Sequence, residues 1–125
     1  MKFIAQAYIL FVKDMEKLSE FYVGAFGFKR VKNRHYKESE WLELQAGKSF
    51  KLCLHRFPKP GSPSGNRNKL VFSVEDVAQA RAHLLAKRVK LGEVKHWPSA
   101  DACDGRDPEG NAFQLQGPAT LRRSA

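Results

Sequence analysis

The chain has 125 residues, of which 42% are hydrophobic and 28% charged, and its formal net charge is +9. That length suits one domain with its own core, and no apolar run nears the ~20 residues that span a bilayer, so no membrane partner is expected. Cys53 and Cys103 form neither a Cys-x-x-Cys pair nor a disulfide framework, and the cations are scattered without an aromatic-basic RNA motif or zinc-finger spacing, so the charge predicts a solvated basic surface and no nucleic-acid partner.

Residues 3–12 read as an apolar strand. Lys13-Asp14 follows it at once, where a secretion signal would carry a small-residue cleavage site, and a cytoplasmic location is expected. Asp14 is placed to cap a helix with Met15, Leu18, Phe21, Tyr22 and Ala25 on one apolar face, ending between residues 24 and 27. Strands are expected over 28–32, 41–45 and 50–55, with Gly47 in a turn. Pro58, Pro60, Gly61, Pro63 and Gly65 then break any regular element, so residues 56–68 form a linking loop.

The second half repeats this order. An apolar strand over 69–74 leads to Asp76, which has the capping-box spacing to Gln79. The helix carries Val77, Ala80, Leu84 and Leu85 and ends near Lys87-Arg88. Strands follow at 89–96, in a less defined run at 100–106, and at 112–116, the last two separated by the turn formers Asp107-Pro108-Glu109-Gly110-Asn111. Each half is strand, helix, then three strands, with a period of about 62 residues between Asp14 and Asp76. So small a unit cannot bury both faces of its sheet alone, so the halves are expected to pair.

Val12-Lys13-Asp14-Met15-Glu16-Lys17, with Phe21-Tyr22 and Phe26-Gly27-Phe28, resembles the opening signature of vicinal oxygen chelate modules. The segment from Asp107 to Leu115 resembles their closing signature. On these motifs the chain is similar to the glyoxalase, bleomycin-resistance and extradiol dioxygenase proteins over residues 3–118. The resemblance implies an α+β fold: two βαβββ modules, 1–55 and 69–118, in a single domain 1–118, followed by a basic tail 119–125. Their strands would curl into a cup-shaped mixed β-sheet with a helix on the outer face of each module. Fold settles little about chemistry in such a family, so the site must decide.

The resemblance also locates the family's metal ligands, seven residues before each capping aspartate and on each closing strand. Those positions here are Ala7, Lys69, Gln114 and, with a register uncertain by two residues, Lys51 or Cys53. A methyl, an ammonium, an amide and one thiol do not supply the three convergent donors a divalent ion needs. No metal and no cofactor are therefore expected. Cys53, His55 and Gln114 form the one substitute ligand set the pattern offers.

Strand alternation turns Ala5, Ala7, Ile9 and Phe11 to the inner face and Tyr8, Leu10 and Val12 to the helix. It also turns Trp41, Glu43 and Gln45, the Lys51–Cys53–His55 side, the Lys69–Val71–Ser73 side, and Gln114 and Gln116 inward. Leu42, Leu44, Leu52, Leu54, Leu70, Phe72, Phe113 and Leu115 should pack under the helices. The candidate ligand-binding residues are Phe11 and Trp41 as an aromatic wall, Cys53, the hydrogen-bonding His55, Ser73 and Gln114, and the cationic Lys69. Lys90 is expected on the exposed side. His35, His83 and His96 have no partners at a recognisable spacing.

Such a pocket suits a small ligand with an apolar body and an anionic or carbonyl-containing end. The leading expectation is a metal-independent small-molecule-binding protein acting as a homodimer. The alternative is a lyase, isomerase or oxidoreductase of glyoxalase or dioxygenase type with a non-standard metal site, so catalysis is left open. Bleomycin itself is a poor candidate, because the drug and this chain are both cationic.

Overall fold

The computed structural model describes residues 1–2, 5–32, 35–56 and 68–120. The expected strand start at residues 3–4, most of the linking loop and the Arg122-Arg123 tail lie outside these residues. Contacts divide the chain into two compact units, Met1–Pro63 and Ser64–Ala125.

The first unit runs β1 (Ala7–Val12), α1 (Met15–Phe26), β2 (Lys29–Val31), β3 (Trp41–Gln45) and β4 (Lys51–Arg56). The sheet order is β1-β4-β3-β2, with β1 parallel to β4 and the other pairs antiparallel. Asp14 starts α1 as the sequence requires, its carboxylate accepting the Lys17 N–H at 3.0 Å. Gly27 ends it with φ 72°, a left-handed turn that glycine makes without a Cβ clash. Met15, Leu18 and Tyr22 bury one face of α1 against Leu10, Val12, Leu42, Leu44, Leu52 and Leu54, all nearly closed to solvent. Tyr22 also stacks on Phe28, ring centroids 6.0 Å apart, which seals the C-terminal end of that core.

The second unit runs β5 (Lys69–Ser73), α2 (Val77–Ala86), β6 (Lys90–Leu91), β7 (Lys95–His96), β8 (Asp101–Arg106) and β9 (Ala112–Gly117). Its order is β5-β9-β8-β6, with β7 also on β8 and with β5 parallel to β9. Asp76 caps α2 through the Gln79 N–H at 3.0 Å. Two mixed sheets of four and five strands, neither closed into a barrel, make an α+β fold. Leu70 and Phe72 are only half-buried.

The single strand expected over 89–96 is instead two short ones. Between them the Gly92 N–H still donates to the Asp104 carbonyl at 2.8 Å, while the Gly92 carbonyl accepts the Arg81 guanidinium of α2 at 2.7 Å. The turn after β8 is built on Asp107, a carboxylate only 3% exposed. Its Oδ1 accepts the backbone N–H groups of Glu109 and Asn111, both at 2.9 Å, and the Asn111 amide donates to both carboxylate oxygens. Gly110 closes the turn with φ 83°.

Candidate functional site

Each sheet keeps one face away from its helix, and the alternation expected from the sequence holds there. On the first unit, Ile9 and Phe11 of β1 are 48% and 54% exposed while their neighbours Leu10 and Val12 are buried. The β4 register sets Ala7 opposite Lys51, Ile9 opposite Cys53 and Phe11 opposite His55. Next to them, Glu43 of β3 stands opposite Cys53.

Glu43 organises this face. One carboxylate oxygen accepts Lys51 Nζ at 3.0 Å and the other accepts Trp41 Nε1 at 3.0 Å. The indole is thereby fixed edge-on to His55, centroids 5.5 Å apart, and Phe11 lies 5.3 Å from His55 on the other side. His55 Nδ1 is 2.9 Å from the Arg56 carbonyl oxygen, which only accepts, so Nδ1 is the donor in that bond. A cavity of about 560 Å³ opens here, lined by Ala7, Ile9, Trp41, Glu43, Lys51 and Cys53 among others. Burial raises the Cys53 thiol above its ordinary pKa, the Glu43 charge adds to this, and Lys51 only partly opposes it. Cys53 is therefore held toward the neutral thiol, a poor nucleophile.

On the second unit the organising acid is Asp104 of β8, which the sequence reading did not single out. Its Oδ1 accepts Lys69 Nζ at 3.2 Å and Gln114 Nε2 at 2.9 Å. Gln116 Nε2 in turn donates to Gln114 Oε1 at 2.7 Å, so both ends of the Gln114 amide are engaged. Partial burial disfavours the Asp104 charge, but the bonds from Gln114 and Lys69, with the fields of Lys69 and Lys95, outweigh it and lower its pKa. Ser73 stands opposite Gln116 at the far end of β5.

The registers also settle the position that the sequence left open. Glu43 faces Cys53 as Asp104 faces Gln114, and Ala7 faces Lys51 as Lys69 faces Ala112. Gln114 therefore corresponds to Cys53, and Lys51 corresponds to Ala112. The residues at the expected ligand positions do not fit a divalent ion. Ala7 has no donor atom, Lys69 is an ammonium bound to a carboxylate, and the Gln114 amide is committed at both ends, which leaves Cys53 as a single donor. Among the described residues, no group of three His, Cys, Asp or Glu side chains is placed to hold a metal. The substitute set is divided between the units, with Cys53 and His55 on β4 of the first and Gln114 on β9 of the second.

Two further placements differ from expectation. Lys90 is on the same face as Lys69, in the cross-strand row through Ala112 and Arg106. His96 does have a partner: its Nδ1 is 2.7 Å from Oδ1 of the buried Asp101, whose other oxygen accepts the Thr120 hydroxyl. Their spacing carried no signal because the link crosses a β7–β8 pairing.

No helix among the described residues is long and apolar enough to cross a membrane. No curated protein matches the sequence. Among solved structures, the chain is similar to TnmS3, an antibiotic binding protein from Streptomyces sp. CB03234, at 27% identity and TM-score 0.78, covering 94% of this chain and 98% of that one. A glyoxalase/bleomycin resistance protein from the same organism is 26% identical with TM-score 0.70, covering 90% and 98%. A lactoylglutathione lyase from Agrobacterium tumefaciens shares the fold at 18% identity and TM-score 0.70, covering 91% and 92%. The profile that describes the Glyoxalase/Bleomycin resistance protein/Dioxygenase superfamily matches residues 4–115. Two units of like strand-helix-strands order, the opening and closing motifs and this match agree, and the chain belongs to that superfamily.

Proposed function

We propose that this protein is a metal-independent small-molecule-binding protein of the bleomycin-resistance type, acting by sequestration. The cavity of about 560 Å³ on the first unit carries the reading. Its volume lies within the roughly 300–1,000 Å³ of small-ligand sites, and it joins an apolar wall to a few fixed polar groups. Phe11, Trp41, Cys53 and His55 on the first unit, and Lys69, Ser73 and Gln114 on the second, are each unit's candidates for contact with a small ligand. It has an apolar body and an anionic or carbonyl-containing end. The likeness to an antibiotic binding protein supports sequestration, and the poor fit of the ligand positions to a divalent ion supports metal independence.

We assign modules 1–55 and 69–118 to one functional domain, a cytoplasmic location to the protein, and a homodimer as its working form. Exposed Val71 and Trp97 support the dimer, since they leave apolar surface to be covered. Native mass spectrometry of freshly purified protein tests these points together. The expected spectrum is a dimer carrying a small organic molecule and no stoichiometric divalent ion. A bare monomer, or one zinc, nickel, manganese or iron per chain, counts against the reading.

A second measurement addresses the cavity directly. In a Trp97→Phe background, Trp41 is the one remaining indole. Aromatic acids and ketones are expected to quench its emission saturably, and Trp41→Ala to lose at least tenfold in affinity by calorimetry, as removal of a buried aromatic anchor commonly does. Unchanged affinity in Trp41→Ala would move the ligand elsewhere.

A further inference from the structure

We infer that the second unit carries an oxyanion seat, built by Lys69, Arg106 and Lys90 around Ala112, that takes a doubly charged phosphate monoester group. The inference rests on the small-molecule reading above and narrows it to a ligand class.

The four residues form one row across four strands. Lys69 stands opposite Ala112, Ala112 opposite Arg106, and Arg106 opposite Lys90. Residues in cross-strand register share a face, and adjacent strands lie about 4.8 Å apart, so three cations are gathered over a span of about 14 Å. Ala112 projects only a methyl group between two of them. A hollow of about 280 Å³ results, lined by these four residues together with Asp104 and the backbone around Gly105.

Arg106 directly opposite Lys90 is a like-charge pair, which destabilises a sheet unless something compensates it. An anion seated between them is such a compensation. Arg106 Nη1 donates to the Gly110 carbonyl at 2.9 Å, which holds the guanidinium in place and leaves other N–H donors for an oxyanion. Asp104 already balances one positive charge through Lys69. Three cations less one carboxylate leave two positive charges, matching a phosphate monoester better than a carboxylate. A concave hollow with a methyl floor also suits a terminal phosphate more than the singly charged, convex backbone of a nucleic acid.

Calorimetric titration of the full chain with phenyl phosphate and with benzoate tests the seat at low salt. One phenyl phosphate per chain is expected, with benzoate at least tenfold weaker. Arg106→Gln and Lys90→Gln should each weaken phenyl phosphate about tenfold, the usual scale for one charge-assisted bond. Ala112→Leu, which fills the hollow without changing charge, should abolish binding. Lys17→Gln, on exposed α1 surface, should leave it unchanged. Thermal melts establish that each variant is folded.

Equal weakening by Lys17→Gln and Arg106→Gln would reduce the effect to bulk charge and overturn the seat, as would absence of saturation. Duplex DNA binding that is lost in Arg106→Gln, with phenyl phosphate unable to compete, would overturn it in favour of a nucleic acid. If apolar ligands still quench Trp41 while phenyl phosphate fails to bind, the seat alone is wrong. Failure of both removes the small-molecule reading with it.

Discussion

Gly105→Ala is expected to lower the melting temperature by roughly 10 °C, a loss of about 2–3 kcal/mol, which is the upper range for overpacking a filled core. A Cβ at Gly105 would sit 2.4 Å from Phe113 Cζ, 2.7 Å from its Cε1 and 2.8 Å from Leu91 Cδ2. Relief would require the Phe113 ring to move, yet it is fully buried and in edge contact with Phe72 at 6.0 Å. Phe113→Leu alone should also destabilise, by opening a cavity. Combined with Gly105→Ala it should cost less than the sum, because the new methyl then enters space the ring has left. Thermal denaturation followed by circular dichroism reads all three variants. Strict additivity, or an unshifted melt for Gly105→Ala, would show that the ring is not what excludes a side chain there.

Asp107→Ala should destabilise by about 3 kcal/mol, seen as a lower urea midpoint with an unchanged slope. The substitution leaves two backbone N–H groups and the Asn111 amide without their acceptor in a part-buried turn, and each stranded buried donor costs about 1–3 kcal/mol. Asp107→Asn should cost less, since its amide oxygen still accepts. If both variants bind ligand normally at a temperature where they remain folded, the closing motif serves the scaffold rather than the chemistry. A full-stability Asp107→Ala would instead show that water replaces the carboxylate without loss.

The repeat, the caps and the face of most strands were legible because each rests on a local pattern. Asp14 and Asp76 precede their helices directly, and leucines alternate with polar residues along β3 and β4. Strand β8 gave no such pattern. Its helix-side residues are Asp101, Cys103 and Gly105, and its open side holds Ala102, Asp104 and Arg106, so polar and small residues occur on both faces. Asp101 is a carboxylate made tolerable inside by His96 and Thr120, a rescue visible only once the chain is folded. Asp104 was missed for the same reason, and with it the partner that decides what Lys69 and Gln114 do. Lys90 takes its face from its register with Arg106, a pairing that no local pattern announces.

The paired lysines bear on how a duplicated fold acquires two different jobs. In the first unit the lysine belongs to the inner strand β4, next to the acid's strand, and Ala7 on the edge strand β1 leaves the space beside it open. In the second unit the exchange is reversed. Lys69 projects from the edge strand β5 and must reach past β9 to meet Asp104, so its stem crosses ground that is vacant in the first. The same three residue types, one lysine, one alanine and one acid, thus produce a roomy recess in one copy and a smaller charged notch in the other. The exchange moves one positive charge between equivalent strands of the two copies without changing the sum over the pair. Ancestral duplicates in which both lysines occupied the same strand would have offered two recesses of one kind, and so two equivalent seats for one guest.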